Sequence, residues 1–287
     1  MPAKILSGNI VRDERLIELI KQFEKITPAP ELVIIQVGDR PDSTTYINAK
    51  ISFAKKVGVI AHHIHLSESA SQEEVIREIK KCNENEQIKG IIVQLPVPEH
   101  INRDEVINSI DPRKDIDGQT AFSMQCLSEG RPDAIVPATA RGIRELLSYY
   151  NIDIKSKKIT VVGRSALVGT PVAQVFARDG AVVTVAHSKT IDLIKETNAA
   201  DIIVVAIGKP RLISAQHVRL GQIIVDVGIT REGEVGLDNK AKLVGDVDFE
   251  AVSQIIGPSG AITPVPGGVG PMTVLGLFEN LLDVSRD

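Results

Sequence analysis

Cysteine is nearly missing from this 287-residue chain: only Cys82 and Cys126 occur, far apart and without metal-ligand spacing. That excludes a disulfide framework and points to a reducing compartment. Basic clusters are missing too. The 33 Lys and Arg stand against 37 Asp and Glu, a net charge of −4, so nucleic acid is not an expected partner. Apolar runs such as Ile202–Ile207 are far shorter than the roughly 20 residues that a bilayer span needs, so no membrane partner is expected. The opening stretch MPAKILSGNIVRDERL carries charges from the start and lacks a signal-peptide core, so a cytoplasmic location is expected. Short-period repeats and low-complexity segments are also lacking.

What is present is the balance of a globular protein with a substantial core, 43% hydrophobic and 24% charged. Short β-branched runs alternate with longer helical patterns, the signature of βαβ units around a mostly parallel sheet. Strands are expected at Glu31–Val37, Val59–Leu66 and Ile88–Leu95, with helices near Asn9–Ile26, Ser43–Val57 and Ser71–Asn85. The second half repeats the theme with near-continuous Val/Ile strands at Lys158–Val162, Ala181–Ala186, Asp201–Ala206 and Gln222–Val227. The stretch Asp111–Pro137 reads as irregular and places a boundary near Pro137. The expectation is an α/β protein of two lobes around a cleft, the second lobe Rossmann-like with a parallel sheet.

Thr263–Thr273 (TPVPGGVGPMT) interleaves Pro264, Pro266 and Pro271 with Gly267, Gly268 and Gly270 and contains no charge. Proline removes amide donors and fixes φ, while glycine admits close approach, so the run reads as a rigid ligand-binding loop. The apolar stretch Val274–Val284 behind it has helical spacing, which puts a helix N-terminus at the end of the loop.

The second lobe opens with a strand ending at Val162, then Gly163, Arg164, Ser165, Gly169 and Pro171. Strand, glycine loop and helix in that order suit a pyrophosphate, although the spacing is G-x5-G and not G-x-G-x-x-G. The end of the next strand reads Ala186-His187-Ser188-Lys189-Thr190, with no acid to hold a ribose 2′-hydroxyl. With Arg164 nearby, two charge-assisted hydrogen bonds at about 1.5–3 kcal/mol each would favour NADP over NAD by about two to four orders of magnitude when shielded.

In the first lobe Tyr46 and Lys50 stand four apart, hence on one helix face, and tyrosine occurs only three times in the chain. Gln94 ends an apolar strand that exits through Leu95 and Pro96, and an amide there must find a partner. Asp115-Ile116-Asp117-Gly118 reads as an acidic turn of the solvated kind. His63 and His65 share a strand face while His62 points away, so no metal site is expected.

These islands in this order resemble the bifunctional methylenetetrahydrofolate dehydrogenase/methenyltetrahydrofolate cyclohydrolases over nearly the full length. The resemblance implies NADP-dependent one-carbon chemistry on a folate, with Lys50 as the central catalytic residue tuned by Gln94. Tyr46 would line the folate rings beside Leu95 and Pro96, Asp117 would hold the pterin, and the 266–272 loop would close over the substrate. Gly163, Arg164, Ser165, Ser188 and Ile229 would contact NADP. The folate domain would comprise 1–137 with 271–287, the NADP domain 138–270, in a homodimer.

Departures from that pattern fall between Gln119 and Ala140. Gln119 stands where an apolar residue is usual, Ser123 and Gln125 replace an Asn and a Gly, and Ala138 and Ala140 replace a Cys and a Pro. Lys50, Gln94 and Asp117 lie outside these substitutions, so both activities are expected to survive with weaker folate binding. Two other readings stay open: a two-lobed NADP dehydrogenase of the shikimate or amino-acid type, and a nucleotide-binding sensor that has lost catalysis.

Overall fold

The computed structural model describes residues 1–232 and 242–286. From the N-terminus the elements are β1 (Lys4–Ile5), α1 (Gly8–Phe23), β2 (Glu31–Val37), α2 (Pro41–Val57), β3 (Ile60–Leu66), α3 (Gln72–Glu84) and β4 (Ile88–Val93). Three helices follow: α4 (Arg103–Asn108), α5 (Ala121–Ser128) and α6 (Ala138–Tyr149). The second half runs β5 (Lys158–Val162), α7 (Gly169–Arg178), β6 (Val182–Ala186), α8 (Leu193–Ala199), β7 (Ile202–Val205) and β8 (Ile223–Asp226). It ends with β9 (Thr230–Glu232), β10 (Lys242–Val244), α9 (Phe249–Ile256), β11 (Ala261–Ile262) and α10 (Val269–Val284). Two compact units result, Asp13–Ala138 with Val274–Asp287, and Met1–Arg12 with Thr139–Thr273.

The first unit carries a parallel sheet in the order β3-β2-β4. Central β2 (ELVIIQV) is buried along nearly its whole length, as a β-branched run covered on both faces should be, whereas edge strand β3 alternates. Helix α2 opens on Pro41, which has no amide to leave unpaired, and stops at Gly58 in the left-handed conformation. A Ser71/Glu74 capping box starts α3. Phe53 of α2 packs on Phe278 of α10 with ring centroids 4.8 Å apart. The stretch expected to be irregular contains α5; Thr120 caps it by accepting the Ser123 amide, a signal that the apolar pattern does not carry.

The second unit is one parallel sheet in the order β1-β11-β8-β7-β5-β6. Strand order reverses at β5, with β6 on one side and β7 on the other, and the C-terminal ends there form the switch point of an open α/β sheet. Val162, Ile203, Val205, Ile224, Ile256 and Ile262 are among its core residues. The two-residue strands β1 and β11 have no readable periodicity and form because β8 offers an edge. Pairing of β1 with β11 brings residues 1–12 into this unit, on the other side of the expected boundary. Helix α10 starts at Val269, five residues before the expected point, and takes Gly270 and Pro271 into its first turn, where proline costs no intrahelical hydrogen bond. Among the described residues no helix is long and apolar enough to cross a membrane.

Candidate active site

Lys50 lies on the inner face of α2, only 8% exposed, and its Nζ donates to Gln94 Oε1 at 3.0 Å. Gln94 follows directly on β4, and its backbone amide continues the ladder to the Ile35 carbonyl at 2.8 Å. Its side-chain Nε2 donates to the Leu95 carbonyl at 2.9 Å, so both ends of the carboxamide are engaged and Oε1 faces Lys50. The Leu95–Pro96 peptide is cis, with Leu95 half-buried and Pro96 exposed. Tyr46, one turn before Lys50, is 37% exposed. Helical periodicity and the strand end thus bring Lys50 and Gln94 into contact.

The Asp115–Gly118 turn differs from the solvated turn expected. Asp115 is 1% exposed and accepts from the Gln119 amide at 3.1 Å, the Thr120 amide at 2.7 Å and the Ser123 hydroxyl at 2.7 Å. Burial still pushes its carboxyl up from the usual range, against those donors. Asn280, on α10 and 2% exposed, donates to the carbonyls of Ile116 at 2.8 Å and Val136 at 2.9 Å and so clamps the turn. Asp117 is half-buried. Burial raises its carboxyl to about 6, Lys50 pulls it down, and Asp115 pushes it up again. Lys50 responds in mirror image: burial lowers it and Asp117 raises it. Lys50, Gln94 and Asp117 therefore form one electrostatic cluster in this unit.

Two of the unusual positions take part directly. Gln119 Nε2 donates to Asp117 Oδ2 at 2.8 Å, and Ser123 serves Asp115. Lys50, Gln94 and Asp117 are not themselves among the unusual positions, but the turn folds Gln119 back over the carboxyl two residues before it. Asn280 is the residue that the sequence reading does not single out; an Asn in the apolar run of α10 is the one available signal.

In the other unit Gly163 sits immediately after β5 at φ +125°, and a Cβ there would lie 2.3 Å from the Ala206 carbonyl oxygen. Only glycine satisfies both constraints. Ser165 Oγ accepts the amides of Val168 and Gly169 at 3.3 Å each, opening α7. Among the described residues nothing accepts from the amides of Arg164, Ser165, Ala166 or Leu167. Arg164 is exposed, as are Ser188 and Lys189, in a turn after β6 that Thr190 closes by donating its amide to the His187 carbonyl at 2.8 Å. Ile229 is 42% exposed beyond β8. Behind it Asp226 accepts the amides of Gly228, Asp246 and Val247, and Asp246 Oδ2 accepts those of Ile207 and Gly208. Two buried acidic side chains thus tie the ends of β7 and β8 to the segment that follows β10.

The proline–glycine loop belongs to this same unit. The Gly267 carbonyl accepts the amides of Gly8 and Asn9 at 2.9 and 3.2 Å, which caps the start of α1. Gly268 is buried, and a Cβ on it would sit 2.5 Å from the Pro264 oxygen. Pro266 and Gly270 are exposed, while Pro264, Gly267 and Pro271 are half-buried. Part of the loop's polar capacity is therefore spent on α1.

Comparison with known proteins matches residues 6–117 to the tetrahydrofolate dehydrogenase/cyclohydrolase catalytic domain and 137–287 to the NAD(P)-binding domain of the same family. The bifunctional protein FolD of Streptococcus thermophilus is 42% identical over 280 residues, covering 97% of this chain and 94% of that one. The FolD crystal structure from Campylobacter jejuni superposes with a TM-score of 0.92 at 37% identity, covering 99% of both chains. The Trypanosoma brucei methylenetetrahydrofolate dehydrogenase-cyclohydrolase, complexed with NADP cofactor and inhibitor, gives 0.93 at 34% identity over 100% of this chain and 98% of that one.

Proposed function

The chain belongs to the tetrahydrofolate dehydrogenase/cyclohydrolase family, and from that premise we propose that Lys50, Gln94 and Asp117 carry its folate chemistry. The enzyme oxidises 5,10-methylenetetrahydrofolate to 5,10-methenyltetrahydrofolate and hydrolyses that product to 10-formyltetrahydrofolate, with NADP as coenzyme. One observation carries the assignment of residues: a buried lysine held on a fixed carboxamide oxygen, within electrostatic reach of a carboxyl whose own proton affinity is raised.

Bound NADP supplies the hydride acceptor of the first step. The carbon that gives up hydride is flanked by N5 and N10, so the product is a delocalised cation and no proton need leave. The protein's task there is positioning. Asp117 accepts from the polar edge of the pterin, and Tyr46, Leu95 and Pro96 line its faces. In the second step water attacks the cationic carbon. As the O–C bond forms, neutral Lys50 Nζ takes a proton from the water, and Gln94 Oε1 holds the amine in place. The hydroxyl proton of the adduct passes to N5 as the C–N5 bond breaks, which leaves the formyl group on N10. Lys50 then releases its proton to solvent. Burial makes the neutral amine accessible, and a cationic substrate beside it lowers the lysine further.

For the coenzyme, the four unengaged amides from Arg164 to Leu167 at a Gly163 turn suit a pyrophosphate. Arg164, with Ser188, is proposed to bind the 2′-phosphate, and Ile229 to line the site. Asp13–Ala138 with the α10 segment is the proposed folate unit, and Thr139–Thr273 with the first twelve residues the coenzyme unit. Contacts of Pro264, Pro266, Gly267, Gly268, Gly270 and Pro271 with folate and a homodimeric state rest on the family resemblance, and a cytoplasmic location on the scarcity of cysteine.

Replacing Lys50 by Met tests the reading. Hydrolysis of the methenyl compound should fall by about 10²–10⁴-fold while the coenzyme still binds. Near-normal hydrolysis would remove Lys50 as the base. Appearance of NADPH absorbance on adding methylenetetrahydrofolate to the unmodified protein separates this function from a shikimate-type dehydrogenase and from a catalytically silent sensor.

A further inference from the structure

We propose that Gln119 is a positioning residue of the folate site, whose side-chain amide fixes the Asp117 carboxylate in one orientation and holds it ionised for the substrate. The proposal rests on the reading of Asp117 as the folate-binding carboxylate.

Gln119 is anchored before its side chain makes any contact. Its backbone amide donates to Asp115 Oδ1 at 3.1 Å, and that of Thr120 to Asp115 Oδ2 at 2.7 Å. The hydroxyl of Ser123 completes the cradle at 2.7 Å and in turn accepts the Thr120 hydroxyl proton at 2.9 Å. With the main chain held on one carboxylate, the half-buried side chain reaches back to the other, Nε2 donating to Asp117 Oδ2 at 2.8 Å. Gln119 therefore couples the two acids of the turn: its main chain serves Asp115 and its side chain serves Asp117.

The chemistry follows from which oxygen is taken. A carboxylate offers about four acceptor positions, and a fixed donor on Oδ2 removes rotation about the terminal torsion. Oδ1 is then the oxygen presented to a donor-rich ring edge. The charged and titratable groups facing Asp117 are Lys50 from α2 and Asp115 from its own turn, while the clamp from α10, Asn280, is neutral. Lys50 favours the ionised carboxyl, and burial together with Asp115 opposes it. A neutral donor on Oδ2 adds to the Lys50 side of that balance without introducing a charge that would repel a cationic substrate. An apolar residue at this position would leave the carboxyl free to turn and easier to protonate.

Gln119→Leu, with Gln119→Glu as a second variant, tests the proposal by two independent measurements. Carboxyl-carbon NMR of protein labelled at aspartate, with Asp117→Asn to assign the resonance, should show Asp117 titrating near 6 in the unmodified protein. Loss of one charge-assisted hydrogen bond at a half-buried site should raise that midpoint by about one pH unit in Gln119→Leu, and by more in Gln119→Glu, where a like charge replaces the donor. An unchanged midpoint in Gln119→Leu overturns the proposal, whatever happens to activity. Steady-state hydrolysis of the methenyl compound between about pH 5.5 and 8.5, corrected for the uncatalysed rate, supplies the second readout. KM in Gln119→Leu should rise at every pH, because the carboxyl is free to turn, and severalfold more at the acid end, where it is also protonated, with kcat little changed. A KM rise of equal size at every pH means that the Gln119 amide does not hold the carboxyl ionised, and also overturns the proposal. An Asp117→Asn enzyme with normal KM would instead defeat the folate role of Asp117, and the NMR midpoint would still decide whether Gln119 controls that carboxyl.

Discussion

Replacing Asp117 by Asn should make the folate unit more stable at neutral pH while weakening its function. Burial raises the Asp117 carboxyl from an ordinary 3.8 to about 6, with Lys50 only partly offsetting the cost of the charge. A folded-state value above the unfolded one means that the folded protein binds the proton more tightly. Stability associated with this group is therefore fully present below the unfolded value and is lost as pH rises through about 6. At about 1.36 kcal/mol per unit, the ionised carboxylate costs the native state about 3 kcal/mol above pH 7. The asparagine side chain keeps the shape and an acceptor for the Gln119 amide but carries no charge, so it recovers most of that cost. The gain over the unmodified protein should grow from about 1 kcal/mol at pH 4.5 to about 3 kcal/mol at pH 8. Urea unfolding followed by circular dichroism at each pH measures it, and hydrogen exchange of the slowest amides in β2 and β4 assigns the change to this unit. In the same variant the KM for folate should rise at least about tenfold, the loss of one charged hydrogen bond. A stability gain of the same size at every pH, or a variant less stable than its parent at pH 8, would refute the reasoning, because it would mean that Asp117 is not held at a desolvation cost.

Arg164→Ala should raise the KM for NADP more than any other single change in the coenzyme loop, and the unmodified protein should discriminate against NAD; equal kcat/KM for the two coenzymes sinks the 2′-phosphate assignment. Asn280→Leu leaves the buried carbonyls of Ile116 and Val136 unpaired. It should destabilise the folate unit by about 2–6 kcal/mol in urea, at about 1–3 kcal/mol for each abandoned group, and a loss below about 1 kcal/mol would show that the clamp is not needed. Steady-state kinetics of each reaction should find both activities in the unmodified protein, with folate binding the weaker point; dehydrogenation without enzymatic hydrolysis would show that the Gln119–Ala140 segment disables the base.

Periodicity and side-chain chemistry by themselves determined the frame. The run Glu31–Val37 could only be a buried strand, and Lys158–Val162 likewise, since β-branched apolar residues on both faces leave no solvent-facing alternative. Spacing of four put Tyr46 and Lys50 on one helix face, and the strand end put Gln94 at the C-terminal end of β4. Glycine at 163 signalled a backbone conformation and approach that other residues cannot adopt. Tertiary structure decided the rest. Lys4–Ile5 and Ala261–Ile262 are too short to have a period, and become strands only because partners from distant parts of the chain accept their hydrogen bonds. Asp115 and Asp117 look like a solvated turn in one dimension. Their burial, and with it the raised proton affinity of both, comes from the polar clamp of Asn280, far away in sequence on α10, and from packing that no local pattern encodes. Gln119 is a polar residue at an unusual position until the turn folds back and sets its amide on a carboxylate. Local propensity acts over a few residues, whereas desolvation and charge coupling act between groups that meet only once the chain has folded, so the elements could be read from sequence while the electrostatics of the site could not.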